Sequence, residues 1–178
     1  MSEQFSIRVG KEELCFSACH FLVFSQESVE PLHGHTYRVA VELAGPLNPD
    51  GMVADFTWVR ASLRNLLQEL DHRILLAGQD ARLQIMQTAE EIELCVGTRR
   101  WIFPRSDCFI LPVAATTTEL LAQYLAHRFL EVCRAELNWL PDRLQIELEE
   151  SPGLSAFVTC QPNEGRSELF RNRGMASF

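Results

Sequence analysis

Residues 33–44 read HGHTYRVAVELA, and this run constrains the fold more than any other part of the chain. Tyr37, Val39 and Val41 fall on one side of a two-residue period, and Thr36, Arg38 and Glu42 on the other. Such alternation marks a strand with one buried face. A strand must pair and its apolar face must be covered, so the chain has to supply partner strands and a second layer. The same period puts His33 and His35 on one face, about 7 Å apart at the Cα level.

The second layer is predicted in two places. DFTWVRASLRNLLQELDH, from residue 55, carries Val59, Leu63, Leu66, Leu67 and Leu70 as one helical stripe, with Asp55 or Thr57 able to cap it. A second helix is predicted from about Thr117 to Leu137, buried along Leu121, Tyr124, Leu125, Phe129 and Val132. Thr116, Thr117 or Thr118 can cap it, with Glu119 in the positive first turn.

Partner strands are expected at 5–9 and 13–24 around a GKEE turn, and in DRLQIELEE and LSAFVTC around SPG. Between the helices, EIELCVGTRRWIFP (91–104) reads as a hairpin turning at Gly97-Thr98, followed by the apolar strand DCFILPV. The expected fold is α+β, with sequential and mostly antiparallel strands. Its open sheet edges invite oligomerisation. Residues 161–178 are polar and mixed, and read as a tail or an oligomer contact.

At 178 residues and 47% hydrophobic, the chain suits one globular domain. The net charge of −8 argues against a general nucleic-acid binder, which carries a basic footprint. No apolar run approaches the roughly 18 residues of a membrane span. MSEQFSIRVGKEEL has no basic and then apolar leader, so a cytoplasmic protein is expected. The six cysteines form no C-x-x-C pair and read as reduced, mostly buried thiols.

Two of the five histidines are His33 and His35, and His20 ends the strand FSACH, which is expected to lie alongside. By parity His20 shares a face with Phe16 and Ala18, and Cys19 points the other way. Three imidazoles with a fourth position open suit a catalytic zinc. The plain alternative is three satisfied polar side chains.

FSACHFL, LHGHTYRVAVEL, GMVADF, LDH, TTTELLA and a late EES…SAF follow one another in this order. This ordered set resembles the 6-pyruvoyl-tetrahydropterin synthase and 6-carboxytetrahydropterin synthase family over about residues 5–158, apart from the segment near 80–114. The resemblance implies a tunnelling fold: a four-stranded antiparallel sheet with two helices on one face, closed into a barrel by a trimer or hexamer. The segment about 80–114 is an insertion on that fold, with the hairpin at about 90–104. The resemblance implies Zn²⁺ on His20, His33 and His35, and a pterin triphosphate substrate, 7,8-dihydroneopterin triphosphate. It implies a proton relay through Asp71 and His72, for which the alternative is a solvated helix C-terminus. It implies pterin binding by Thr117, Thr118, Glu119 and Glu150. Glu150 also has support of its own, because it continues the inward parity of Leu144, Ile146 and Leu148 and a buried carboxylate needs a partner.

Two departures bear on the chemistry. Most family members place a catalytic cysteine four residues before H-G-H, where this chain has Val29. Glu30 matches a branch in which a glutamate replaces it, a branch associated with a 6-hydroxymethyl pterin product. The alternative is that Glu30 merely decorates the loop. The second departure is the insertion, with Arg99, Arg100, Trp101 and Arg105, read either as a peripheral hairpin or as a wall whose arginines reach the triphosphate. The expected activity is a zinc-dependent lyase. The rivals are 6-carboxytetrahydropterin synthesis for deazapurines and a zinc- and pterin-binding protein without turnover.

Overall fold

In a computed structural model, which describes residues 3–162, these residues form nine strands, two α-helices and one short 3-10 turn at Arg105–Asp107. They are β1 (Phe5–His20), β2 (His33–Gly45), α1 (Phe56–Leu70), β3 (Arg73–Ala77), β4 (Gln84–Gln87), β5 (Glu91–Val96), β6 (Arg99–Pro104), β7 (Cys108–Leu111), α2 (Thr118–Leu137), β8 (Arg143–Ser151) and β9 (Leu154–Cys160).

The first correction concerns β1. Residues 5–20 form one strand, not two strands around a GKEE turn, and the register against β2 shifts between Gly10 and Cys15. A local irregularity absorbs the surplus residues, as a bulge does, so the pairing survives. The strand also ends at His20 rather than 24; beyond it, Val23 makes only an isolated bridge to Val29.

β1, β2, β8 and β9 make the expected four-stranded antiparallel sheet. The sheet then extends past expectation: β3 pairs parallel with β1, and β7 parallel with β3, giving the order β7-β3-β1-β2-β8-β9. RILLA in β3 is a short apolar run without alternation, so no period announces it.

Both helices cover one face. Asp55 caps α1, accepting from the Thr57 amide at 2.8 Å, and Thr117 caps α2, accepting from the Leu120 amide at 3.4 Å. Leu63 and Leu70 from α1, Leu121, Leu125 and Phe129 from α2, and Tyr37, Val39, Leu43, Leu144 and Ile146 from the sheet share one core. Each large apolar side chain buried there contributes about 1.5–3 kcal/mol. No helix among the described residues is long and apolar enough to cross a membrane.

The 91–104 hairpin forms as expected, turning at Gly97, and β4 joins it as a third strand. This small sheet has a hydrophobic core of its own. Of the six cysteines, all are free, but only Cys133 is buried; Cys15 is exposed and the others are intermediate. The expectation of mostly buried thiols therefore fails, because most of these positions lie on the polar face or the edge of a strand. Most of the 161–178 tail lies outside the described residues.

Candidate metal centre and its surroundings

Pairing of β1 with β2 sets His20 directly opposite His33, and two residues further along β2 stands His35. The three side chains leave the same face, and one ligand nitrogen from each lies within 4.8 Å of the others. The ring centroids are 4.6, 5.3 and 4.7 Å apart. Gly34 between the two histidines lies against β1 on the opposite face, where a Cβ would come 3.1 Å from Cys19 Sγ. Cys19 is therefore no ligand, as its parity predicts.

Hydrogen bonds fix how two of the rings present themselves. His20 Nδ1 donates to the Thr116 carbonyl at 2.8 Å, and His33 Nδ1 to the Pro31 carbonyl at 2.9 Å. A carbonyl can only accept, so Nδ1 carries the hydrogen and Nε2 the lone pair. His20 Nε2 and His35 Nε2 are both buried without a hydrogen-bond partner. Glu150 Oε1 lies 3.5 Å from the first and 3.8 Å from the second. Imidazole nitrogens and a carboxylate that converge in this way suit a cation. Burial, opposed in part by the Thr116 carbonyl, holds the His20 ring below its ordinary pKa, which favours the neutral, ligating form. The triad can therefore hold a metal ion.

Glu150 is inward, as its parity predicts, and accepts from the Tyr37 hydroxyl at 3.2 Å. Thr118, Glu119 and Glu150 line a shared cleft with Gly153, Leu154, Ser155 and Ala156. Thr117 lies next to this cleft as the cap of α2. Glu30 Oε2 lies 4.0 Å from His33 Nδ1 and accepts from the Leu22 amide at 3.2 Å, while the Glu30 amide donates to the Leu22 carbonyl at 2.9 Å. Glu30, Glu150 and the triad thus come together. The Val29 side chain is instead buried with Phe21, Val23, Leu83 and Ile92, Leu94 and Val96 of β5.

Asp71 and His72 sit elsewhere in the chain. Asp71 Oδ2 meets His72 Nδ1 at 2.9 Å, and Asp71 Oδ1 accepts from the Ser17 amide at 2.8 Å. Burial works to raise the Asp71 pKa, but the Ser17 amide and His72 outweigh it and hold the carboxyl below its ordinary value. His72 has a left-handed backbone, φ 59°, and its side chain is 83% exposed. It lines a groove with Ser17, Cys19, Gly34 and Thr36, and His35 of the triad borders the same groove.

Three contributors escaped sequence reasoning. Thr116 orients His20 through its backbone carbonyl, which no side-chain pattern reveals. Tyr37 orients Glu150, and its place two residues after His35 was the available signal. Arg99 donates to the Val29 carbonyl at 2.9 Å, across a separation of 70 residues that local pattern cannot span.

Comparison with known proteins agrees with this fold. The profile of the 6-pyruvoyl tetrahydropterin synthase family matches residues 10–161. A protein of Pyrococcus abyssi, provisionally named a 6-carboxy-5,6,7,8-tetrahydropterin synthase, is 33% identical over 81% of this chain and 85% of its own length. The 6-pyruvoyl tetrahydropterin synthase of Plasmodium falciparum superposes with a TM-score of 0.83 at 26% identity, covering 90% of this chain and 99% of that one. The Plasmodium vivax 6-pyruvoyltetrahydropterin synthase, solved with a catalytic glutamate replaced by alanine, gives 0.82 at 25% identity over the same shares. With residues 10–161 matched by the family's profile, the chain belongs to the 6-pyruvoyl tetrahydropterin synthase family.

Proposed function

We propose that this protein is a zinc-dependent lyase acting on the side chain of 7,8-dihydroneopterin triphosphate. The observation that carries the reading is the pair of buried, unpartnered Nε2 atoms of His20 and His35 beside Glu150. Zinc, when bound, supplies a Lewis acid that polarises the substrate's side-chain hydroxyls. Glu150, with Tyr37 behind it, accepts hydrogen bonds from the amino-pyrimidine edge of the pterin, helped by Thr117, Thr118 and Glu119 at the start of α2. Glu30 is the general base: the Leu22 amide holds its Oε2, and Oε1 takes the substrate proton. Asp71 and His72 complete the proton route, acting across the interface of a trimer or hexamer.

The glutamate at this position favours cleavage to a 6-hydroxymethyl pterin, and the P. vivax enzyme's catalytic glutamate supports its role as base. A second reading, 6-carboxytetrahydropterin synthesis, has the Pyrococcus relative in its favour. Mass spectrometry of products from 7,8-dihydroneopterin triphosphate with zinc-loaded protein separates them: 6-hydroxymethyl, 6-pyruvoyl and 6-carboxy pterins differ in mass. Recovery of unchanged substrate refutes the lyase and leaves a binding protein. Glu30→Ala is expected to lose at least about 100-fold in kcat with its zinc retained. Full activity in that variant refutes the base assignment.

A further inference from the structure

The inserted sheet does not hang free at the periphery. Phe21, Val23 and Val29, which flank the loop carrying Glu30, are buried together with Leu83 from the insertion, Ile92, Leu94 and Val96 from β5, and Leu76 from β3. Phe21 stacks on Trp101 of β6 at 5.2 Å between ring centroids. The residue after His20 and the residue before Glu30 therefore belong to a second hydrophobic core that exists because the insertion exists. Fixing the Val29 side chain in this core leaves Glu30, its neighbour on a bridged segment, on the side of His33.

Polar contacts close the loop from the same side. Arg99 Nη1 donates to the Val29 carbonyl, the peptide unit that leads into Glu30. The Gly97 amide donates to Gln26 Oε1 at 2.8 Å. Gly97 has φ +55°, and a Cβ there would stand 2.3 Å from the Gln26 carbonyl oxygen, so the hairpin tip and the loop touch backbone to backbone. Arg82, bonded to Asp80 by its Nε at 2.8 Å, donates to the Phe24 carbonyl at 3.2 Å. By contrast, Arg100 is bound to Glu93 and Arg105 to Gln87, both within the insertion.

We infer that the insertion is a clamp for the Glu30 loop, and that Arg99 is a positioning residue that aims the Glu30 carboxylate at the metal centre through the Val29 carbonyl. This rests on the proposed role of Glu30 as the base. The clamp accounts for both departures from the family at once. The insertion claims the side chain at position 29 for its core, so the proton-transfer group is carried by position 30.

The test compares unaltered protein, Arg99→Ala and Arg99→Gln, each zinc-loaded and full-length. Gln keeps a donor for the carbonyl and removes the charge. Steady-state kinetics with 7,8-dihydroneopterin triphosphate and amide hydrogen exchange without substrate are measured on all three. Arg99→Ala is expected to lower kcat about tenfold, with KM and zinc content within about twofold. Exchange at the Leu22 and Glu30 amides is expected to speed up at least tenfold, while Val39 and Leu148 stay protected. Arg99→Gln is expected to recover most of both effects.

Unchanged exchange at Leu22 and Glu30 in Arg99→Ala overturns the clamp. A rise in KM at constant kcat, with no rescue by Gln, also overturns it, because it makes Arg99 a contact for the anionic substrate. If the unaltered protein turns over no substrate, the proposed lyase fails. The exchange comparison, with its Gln rescue, then still decides whether Arg99 holds the loop.

Discussion

The Tyr37 hydroxyl donates to Glu150 Oε1 at 3.2 Å, directly beside the three-histidine cluster. Tyr37 is fully buried, stacked on Phe16 with ring centroids 4.9 Å apart. Burial first, and the Glu150 charge next, push its phenol far above the ordinary tyrosine range. It therefore stays a protonated donor wherever the protein is folded. One oxygen of Glu150 is held, which fixes the carboxylate in the orientation that the proposed contact with a planar pterin edge would use.

Tyr37→Phe tests that relationship. A hydrogen bond to a charged group contributes about 1.5–3 kcal/mol, and partial exposure of Glu150 puts this one at the low end. The expected result is a KM for the pterin substrate raised roughly tenfold, since about 1.4 kcal/mol is one decade. Zinc content should not change. Kinetics and metal analysis read the two separately, and an unchanged KM counts against the role given to Glu150.

Removal of the metal should be visible in stability. An ion present at 100 times its Kd stabilises by about 2.7 kcal/mol. For a domain of this size that corresponds to a fall in Tm of roughly 5–10 °C on chelation, restored by added zinc. His33→Ala and His35→Ala should lose both the bound zinc and the response to chelator. Calorimetry with and without chelator checks this, and full zinc occupancy in either variant refutes the three-histidine site.

Much of this was legible in the sequence, for reasons that also explain what was not. Period-2 alternation from Tyr37 to Leu43 and from Leu144 to Leu148 defined two central strands and their inward faces. It also put His33, His35 and Glu150 on the side where they are found. Cap residues placed both helix starts to within a residue. The polar GKEE run misled because a local irregularity and a turn have the same composition. β3 and its parallel partners lack alternation, and parallel pairing depends on distant segments. The link between β6 and the Glu30 loop was hidden for the same reason: Val29 and Arg99 meet only in the folded chain.

Asp71 gives a pH signature. Its folded pKa lies below the unfolded value of about 3.9. Its contribution to stability is therefore present above the unfolded pKa and lost as pH falls through the folded one. Asp71→Asn removes it. The variant should have a lower urea midpoint than the unaltered protein at pH 7, and the gap should close as pH falls through the folded pKa of Asp71. A gap that persists unchanged into acid refutes the assignment of the effect to the Asp71 charge.

The thiols should separate by reactivity. Cys133 lies in α2 with no exposed surface, and burial pushes its pKa up to about 12. Only the thiolate is nucleophilic, and at pH 8 about one molecule in ten thousand would carry it, even before access is considered. Cys15 is exposed. Brief alkylation at pH 8 followed by peptide mapping should label Cys15 in the native protein and Cys133 only after denaturant is added. The sign of the linkage is fixed too: a buried thiol whose ionisation is suppressed leaves stability untouched below its unfolded pKa, and lowers it as pH rises above about 8.5. Substituting Cys133 extends the test, because its surroundings are Leu125, Phe129 and the rest of the helix-facing core. Cys133→Ser sets a hydroxyl there and is expected to cost about 1–3 kcal/mol. Cys133→Ala leaves only a small void and should cost less. Equal labelling of Cys15 and Cys133 in the native state would mean that α2 opens locally on the labelling timescale, and that its packing on β8 and β9 is weaker than its burial implies.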